Sequence, residues 1–286
     1  MIAHRRNLLQ RILLISLTLL LLFLIYAPIL WLFISSISTR AELLAVPPHW
    51  IPTQVTFANY ANILFGGPDA PPAAREFLYA MGNSLVIASA VTLISLVVGT
   101  MAAYAFARIR FPGTNVLLVA VLGTRMLPGL SIVIPLYIIA SARGLLDTRT
   151  VLVLLYLSFT LPFVIWIMIS FFRTIPLELE EAARIDGCSR IGAMLRIILP
   201  ISGPGLVSTT IFAFLLAWDE FFIALLFTSR DAKTVPVAIA EFTGRYAVDY
   251  TAMATAGVLA AIPPIVLAIV FQRYIVSGLT SGAVKG

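Results

Sequence analysis

Long apolar runs, separated by short polar or charged connections, dominate this chain. Residues 12–36 and 82–107 contain no charged side chain at all. A third run, 114–140, is interrupted once, by Arg125. A fourth covers 150–172, a fifth covers 201–227 and contains Asp219 and Glu220, and a sixth covers 251–275. A helix needs about 20 apolar residues to cross the hydrocarbon of a bilayer. The pattern therefore predicts an all-α polytopic membrane protein with six transmembrane helices, organised as one domain over residues 1–286. A transmembrane barrel would instead show alternating segments of roughly ten residues. The first run is too long for a signal-peptide core, and Pro28 and Trp31 stand where small cleavage residues would be needed, so it reads as a retained helix. Pro128, Gly129, Pro135, Pro162, Pro263 and Pro264 either mark kinks within the runs or are ordinary membrane-helix composition.

Composition narrows the class further. Of 286 residues, 60% are hydrophobic and 11% charged, against about a quarter charged in an ordinary soluble domain. Too few polar side chains are present to cover a water-exposed globule, and too much apolar surface for a disordered chain. A single Cys188 excludes a disulfide scaffold. With only His4 and His49 beside it, a four-ligand zinc site is excluded as well. The net charge of +6 reads as an orientation signal towards the bilayer and not as a nucleic-acid footprint. With the N-terminus inside, the inner connections hold eleven Lys and Arg, the outer ones hold seven, and Arg125 falls within a span. This bias places both termini in the cytoplasm. The loop 40–76, rich in Pro and Gly, then lies outside.

The inner connection 173–200, RTIPLELEEAARIDGCSRIGAMLRIILP, has a different character. Pro176 suits a first helical turn. Glu178, Glu180 and Glu181 complement the positive end of a helix dipole. Gly187 can close the helix in a left-handed conformation, and Ser189 can cap a second one. The loop thus encodes two short helices, too charged to insert, joined by a glycine turn. They either rest on the lipid interface or present a knob to a partner. Spacing decides between these. Glu181-Ala182-Ala183, then Gly187, then Ile197-Ile198-Leu199-Pro200 resembles the EAA signature of ABC importer permeases. The Phe111-Pro112-Gly113 turn and the terminal stretch Gly278–Gly286 extend the likeness to the maltose-type second permease of carbohydrate importers, over nearly the whole chain.

The resemblance implies that the loop docks into a cleft of a cytoplasmic ATPase dimer. Glu181 would pair with a basic group there, and the Ala182-Ala183 face, Asp186, Gly187 and Pro200 would complete the coupling element. It also implies a second permease subunit, an extracytoplasmic solute-binding protein that the loop region around Phe242, Gly244, Arg245 and Tyr246 would touch, and ATP and Mg held by the ATPase. It places the C-terminal tail near the ATPase dimer interface. This chain itself has no GxxxxGK[ST] loop to bind nucleotide and no cofactor site. It is expected to be a non-catalytic transport subunit.

Arg125, Asp219 and Glu220 are costly if they face lipid and are functional candidates for that reason. Twelve residues beyond Gly113, Arg125 lies about 18 Å into the membrane; Asp219, nineteen beyond Pro200, lies about 28 Å in, towards the outer side. Trp218 beside Asp219 suits a sugar, an aromatic face next to a hydroxyl acceptor. The competing reading is an interfacial aromatic with wet acids. An Arg125–Asp219 pair would require tilt and reach. The expected cargo is a disaccharide or small oligosaccharide, with a glycerophosphodiester or polyol as the alternative. An ion-gradient-driven secondary transporter is the other functional class, and it leaves the 173–200 loop unexplained.

Overall fold

The computed structural model describes residues 8–47, 49–66, 70, 72–109, 111–126, 129–243 and 248–281. It contains fourteen α-helices among the described residues. In chain order they are α1 (Leu8–Ile37), α2 (Arg40–Leu43), α3 (Ala58–Phe65), α4 (Pro72–Arg108), α5 (Thr114–Gly123), α6 (Gly129–Ala142) and α7 (Arg149–Thr174). They continue with α8 (Leu177–Ile185), α9 (Arg190–Ala193), α10 (Leu199–Ile201), α11 (Gly203–Trp218), α12 (Phe222–Phe227), α13 (Val235–Ala240) and α14 (Tyr250–Ser281). The β contact among the described residues is an isolated bridge, Thr243 to Val248.

Four of the expected spans are single helices, α1, α4, α7 and α14, each long and apolar enough to cross a bilayer. α7 runs unbroken through Pro162, and α14 through Pro263 and Pro264. The other two runs are broken. α5 with its 3₁₀ extension Thr124–Met126 meets α6 at 92°, and the segment Arg190–Ile201 meets α11 at 81°. The run expected over 201–227 departs most from a simple span. α11 has 16 residues, about 24 Å at 1.5 Å per residue, and it stops at Asp219. A separate six-residue helix, α12, follows.

Contacts divide the chain into two compact units, residues 1–78 with 239–261, and residues 79–238 with 262–286. In the first, the end of α1 is tied to α3 and α14 by hydroxyl and amide groups. Ser36 Oγ and Tyr60 Oη lie 2.7 Å apart, Asn59 donates to the Ser36 carbonyl at 3.2 Å, and so does Thr255 at 3.1 Å. Most of α1 before this knot exposes its apolar side chains, as a helix facing lipid must.

The second unit is built around α7. Its Val164, Ile165, Met168, Ile169 and Phe172 form one core with Ala103 and Tyr104 of α4, Ala213 of α11, and Met194 and Ile198 beyond α9. Two glycines permit the close approach. A Cβ on Gly99 would stand 2.7 Å from Val164, and one on Gly205 would stand 2.6 Å from the Phe171 ring. Ile175 just before α8, and Met194 and Ile198 just after α9, belong to this core, so the segment carrying the two short helices is anchored to the spans at both ends.

Candidate functional site

α8 forms where the sequence signals predicted it. Pro176, extended at φ −56° and ψ 138°, directly precedes Leu177. Because its missing N–H belongs to a position that has no intrahelical partner, it starts the helix without loss. At the other end Gly187 adopts φ +90°. The Gly187 N–H donates to the Arg184 carbonyl at 3.1 Å, and the Cys188 N–H to that of Ala183 at 2.9 Å. This pair of bonds satisfies carbonyls that a helix end leaves open. Ser189 then accepts from the Gly192 N–H at 3.1 Å and caps α9. A five-residue π-helical turn, Met194–Ile198, leads to Pro200.

Burial sorts the residues of this element. Glu181, Ala182, Asp186, Gly187 and Pro200 are exposed. Ala183 is not: only 4% of it is accessible, and it packs inward. The expected Ala182-Ala183 docking face is thus corrected to Ala182 alone, since successive helical residues point about 100° apart. Its neighbour on the outer face is Ile185, 86% exposed, four residues beyond Glu181 and on the same side. A large apolar side chain held in the open is an interface signal, and its i, i+4 relation to Glu181 was available in the sequence.

Glu180 has a role that the dipole argument missed. It is buried. Tyr104 Oη donates to its Oε1, and Arg108 Nε lies 3.6 Å from its Oε2, an ion pair beyond hydrogen-bond reach. Arg108 Nη2 donates to the Ile175 carbonyl at 2.7 Å. α4 therefore grips both the turn before α8 and α8 itself. The legible hint was the Tyr104–Arg108 spacing, which puts a phenol and a cation on one face at the end of an apolar run.

The acids of the fifth run are arranged otherwise. Trp218 is buried and stacked on Phe214, ring centroids 5.5 Å apart and 18° from coplanar. Its face is taken, which corrects the expectation that it lies open to a sugar. Glu220 accepts from the Ile223 N–H at 2.8 Å and the Ala224 N–H at 3.1 Å, and so caps α12. That bonding competes with continuation of α11 and accounts for the break. Asp219 ends α11 with its side chain exposed. Arg125 is also exposed, its guanidinium 5.4 Å over the Phe163 ring. The structure does not bring Arg125 and Asp219 together as an ion pair. Phe242, expected at a receptor contact, is 3% exposed and faces inward. Gly244, Arg245 and Tyr246 lie outside the described residues.

Residues 95–281, which include the whole of this element, match the model of the binding-protein-dependent transport system inner membrane component family. The chain belongs to this family. It is 42% identical over 262 residues to the trehalose transport system permease protein SugB of Mycobacterium tuberculosis (strain CDC 1551 / Oshkosh), covering 91% of this chain and 92% of that one. It is 39% identical over 284 residues to the trehalose/maltose transport system permease protein MalG of Thermococcus litoralis, covering 99% of each. Among solved structures, a bacterial ABC transporter involved in the import of the acidic polysaccharide alginate superposes with a TM-score of 0.78 at 22% identity, over 96% of this chain and 99% of that one. The all-α permease fold and the multi-pass inner-membrane character of this family component follow.

Proposed function

We propose that this permease is one of two membrane subunits of an ATP-driven importer, and that the exposed face of α8 is its contact with a separate cytoplasmic ATPase dimer. The observation that carries the reading is the division of labour within α8. Glu180 is bolted to α4, while Glu181, Ala182 and Ile185 stand free on the opposite face. A helix that is held rigidly by one side and offers a carboxylate and an apolar tip on the other transmits motion and does not merely rest on lipid. ATP and Mg belong to the ATPase. Both termini are cytoplasmic in this reading, and a binding protein delivers solute on the outer side, where the loop carrying Gly244, Arg245 and Tyr246 is its contact.

The cargo is a disaccharide or small oligosaccharide. Support comes from the relatives named for trehalose, trehalose/maltose and diacetylchitobiose transport. Asp219 and Arg125, both exposed from this chain, are the polar groups it offers to the path, and Trp218 and Glu220 support the break behind Asp219. The test is uptake into vesicles containing this chain, its partner permease, the ATPase and the receptor. Labelled trehalose or maltose should accumulate with ATP and persist when a protonophore is added at constant ATP. Loss of uptake on collapse of the proton gradient would overturn the ATP-driven reading, and uptake of a glycerophosphodiester in place of the disaccharide would overturn the cargo.

A further inference from the structure

α4 and α7 run in the same direction, and polar or close contacts join them from Asn83 to Arg108 of α4 and along α7. At one end Arg149 Nε donates to Asn83 Oδ1 at 2.7 Å. In the middle Ser95 Oγ and Thr160 Oγ1, both fully buried, lie 2.8 Å apart, and Gly99 lets Val164 into contact one turn further on. At the other end Tyr104 meets Phe172 edge to face at 6.1 Å, and Arg108 holds the Ile175 carbonyl. Asn83 to Arg108 is about 37 Å of helix, enough to cross the hydrocarbon.

Each end of this pair grips a loop. At the inner end the loop is α8, through Glu180. At the outer end it is the stretch 228–235, which leads into the first residue of α13. Asn83 Nδ2 donates to the carbonyls of Asp231 at 3.0 Å and Lys233 at 2.9 Å, and Ser84 Oγ accepts from the Val235 N–H at 2.8 Å. Asp147, two residues before Arg149, sits at φ 56°, a left-handed conformation uncommon for a residue with a side chain. Its carboxylate accepts from the N–H groups of Ser229, Arg230, Asp231 and Ala232, each at 3.0–3.1 Å, and from the Ser229 hydroxyl at 2.7 Å. Burial by itself would raise its pKa, but the donors from Ser229, Asp231 and Ala232 outweigh it and hold the carboxyl well below the usual carboxylate range.

We propose that α4 and α7 move as one transmembrane strut joining the outer loop 228–235 to α8, with Asp147 and Glu180 as positioning residues at its two ends. Sliding either helix past the other would break the buried Ser95–Thr160 contact and take from the buried Asn83 Oδ1 its Arg149 donor. A displacement at one end is therefore carried to the other as a rigid-body movement, not dissipated as shear. The proposal rests on the reading of α8 as the ATPase contact.

A crosslink tests it on the assembled complex. In a Cys188→Ser background, Ser95→Cys with Thr160→Cys places two thiols where the hydroxyls now touch, within the reach of a disulfide. After oxidation the crosslink should form, and uptake should stay within about twofold of the reduced sample. Absence of the crosslink, or a tenfold loss of uptake reversed by reductant, would overturn the strut. The ends are tested by the ratio of receptor-stimulated to receptor-free ATP hydrolysis, measured per assembled complex. This ratio should fall about fivefold in Asp147→Ala and in Glu180→Gln, with Asp147→Asn, which keeps one acceptor, in between. An unchanged ratio in both would remove their positioning role. Failure of the underlying reading is distinguishable: Glu181→Lys would then transport normally, while the crosslink result would stand by itself.

Discussion

Two pairs of neighbouring acids, Glu180–Glu181 on α8 and Asp219–Glu220 at the end of α11, look alike in sequence and are used in opposite ways. In the first pair the chain stays helical, so the two carboxylates diverge. Glu180 turns inward to Tyr104 and Arg108, and Glu181 turns outward. In the second pair the helix ends. Glu220 spends its oxygens on the backbone of α12, and Asp219 is left exposed at the break. An acid in an apolar environment therefore has to find donors, and the available donors decide the local structure. Where a cation and a phenol wait on a neighbouring helix, the acid anchors one element to another. Where it accepts from N–H groups just ahead of it in the chain, as Glu220 does from Ile223 and Ala224, it starts a new helix.

Substitutions at the two sites test this contrast. Glu180→Ala leaves Arg108 buried without its carboxylate and should destabilise the assembled permease by about 3–5 kcal/mol, seen as a sharp loss of detergent-stable complex. Glu180→Leu with Arg108→Met, which removes both charges, should recover much of that loss. If the double variant is no better than the single, the ion pair is not the anchor. Glu181→Lys should leave the level of protein in the membrane near normal and lower transport by about tenfold or more, equivalent to at least about 1.4 kcal/mol of lost coupling. Gly187→Val should resemble it, because a β-branched residue resists φ +90°. Normal uptake in both would end the docking role of α8. Glu220→Ala should cost about 1 kcal/mol, the usual value of a helix cap, read as a modest fall in melting temperature, and Glu220→Gln should lose less. The smallest effect on stability belongs to Asp219→Asn, within about 0.5 kcal/mol for an exposed side chain. Its effect should instead lie in transport affinity or rate. A change in assembly larger than that of Glu220→Ala would reverse the assignment of roles at the break.

How legible each feature was depends on the range of the interaction behind it. α1, α4, α7 and α14 could be read from apolar runs alone, because a bilayer requires the same solution of any such segment: every backbone group must bond within its own helix. The α8–α9 turn was equally legible. Pro176, Gly187 and Ser189 act through bonds to residues at most a few positions away, and those bonds formed as their chemistry dictates. The break after Trp218 was hidden, because hydropathy counts apolar residues and does not register that Glu220 can bond the Ile223 and Ala224 amides more readily than α11 can continue past it. Arg125 was placed near mid-membrane by counting, but whether it would face an acid or the Phe163 ring was not contained in that count. Glu180 is 76 positions from Tyr104, and Asp147 is more than 80 from the amides that surround it. Phe242 and Ala183 are likewise buried by surroundings that no local pattern names. The apolar runs alone fix the long helices and the membrane setting, and local capping signals fix α8 and α9, since these follow from solvent and neighbouring residues; α2, α3, α12 and α13 were not among the elements these signals predicted. The tertiary structure decided which of two adjacent carboxylates is an anchor and which is a contact, because that depends on which helix packs against which face.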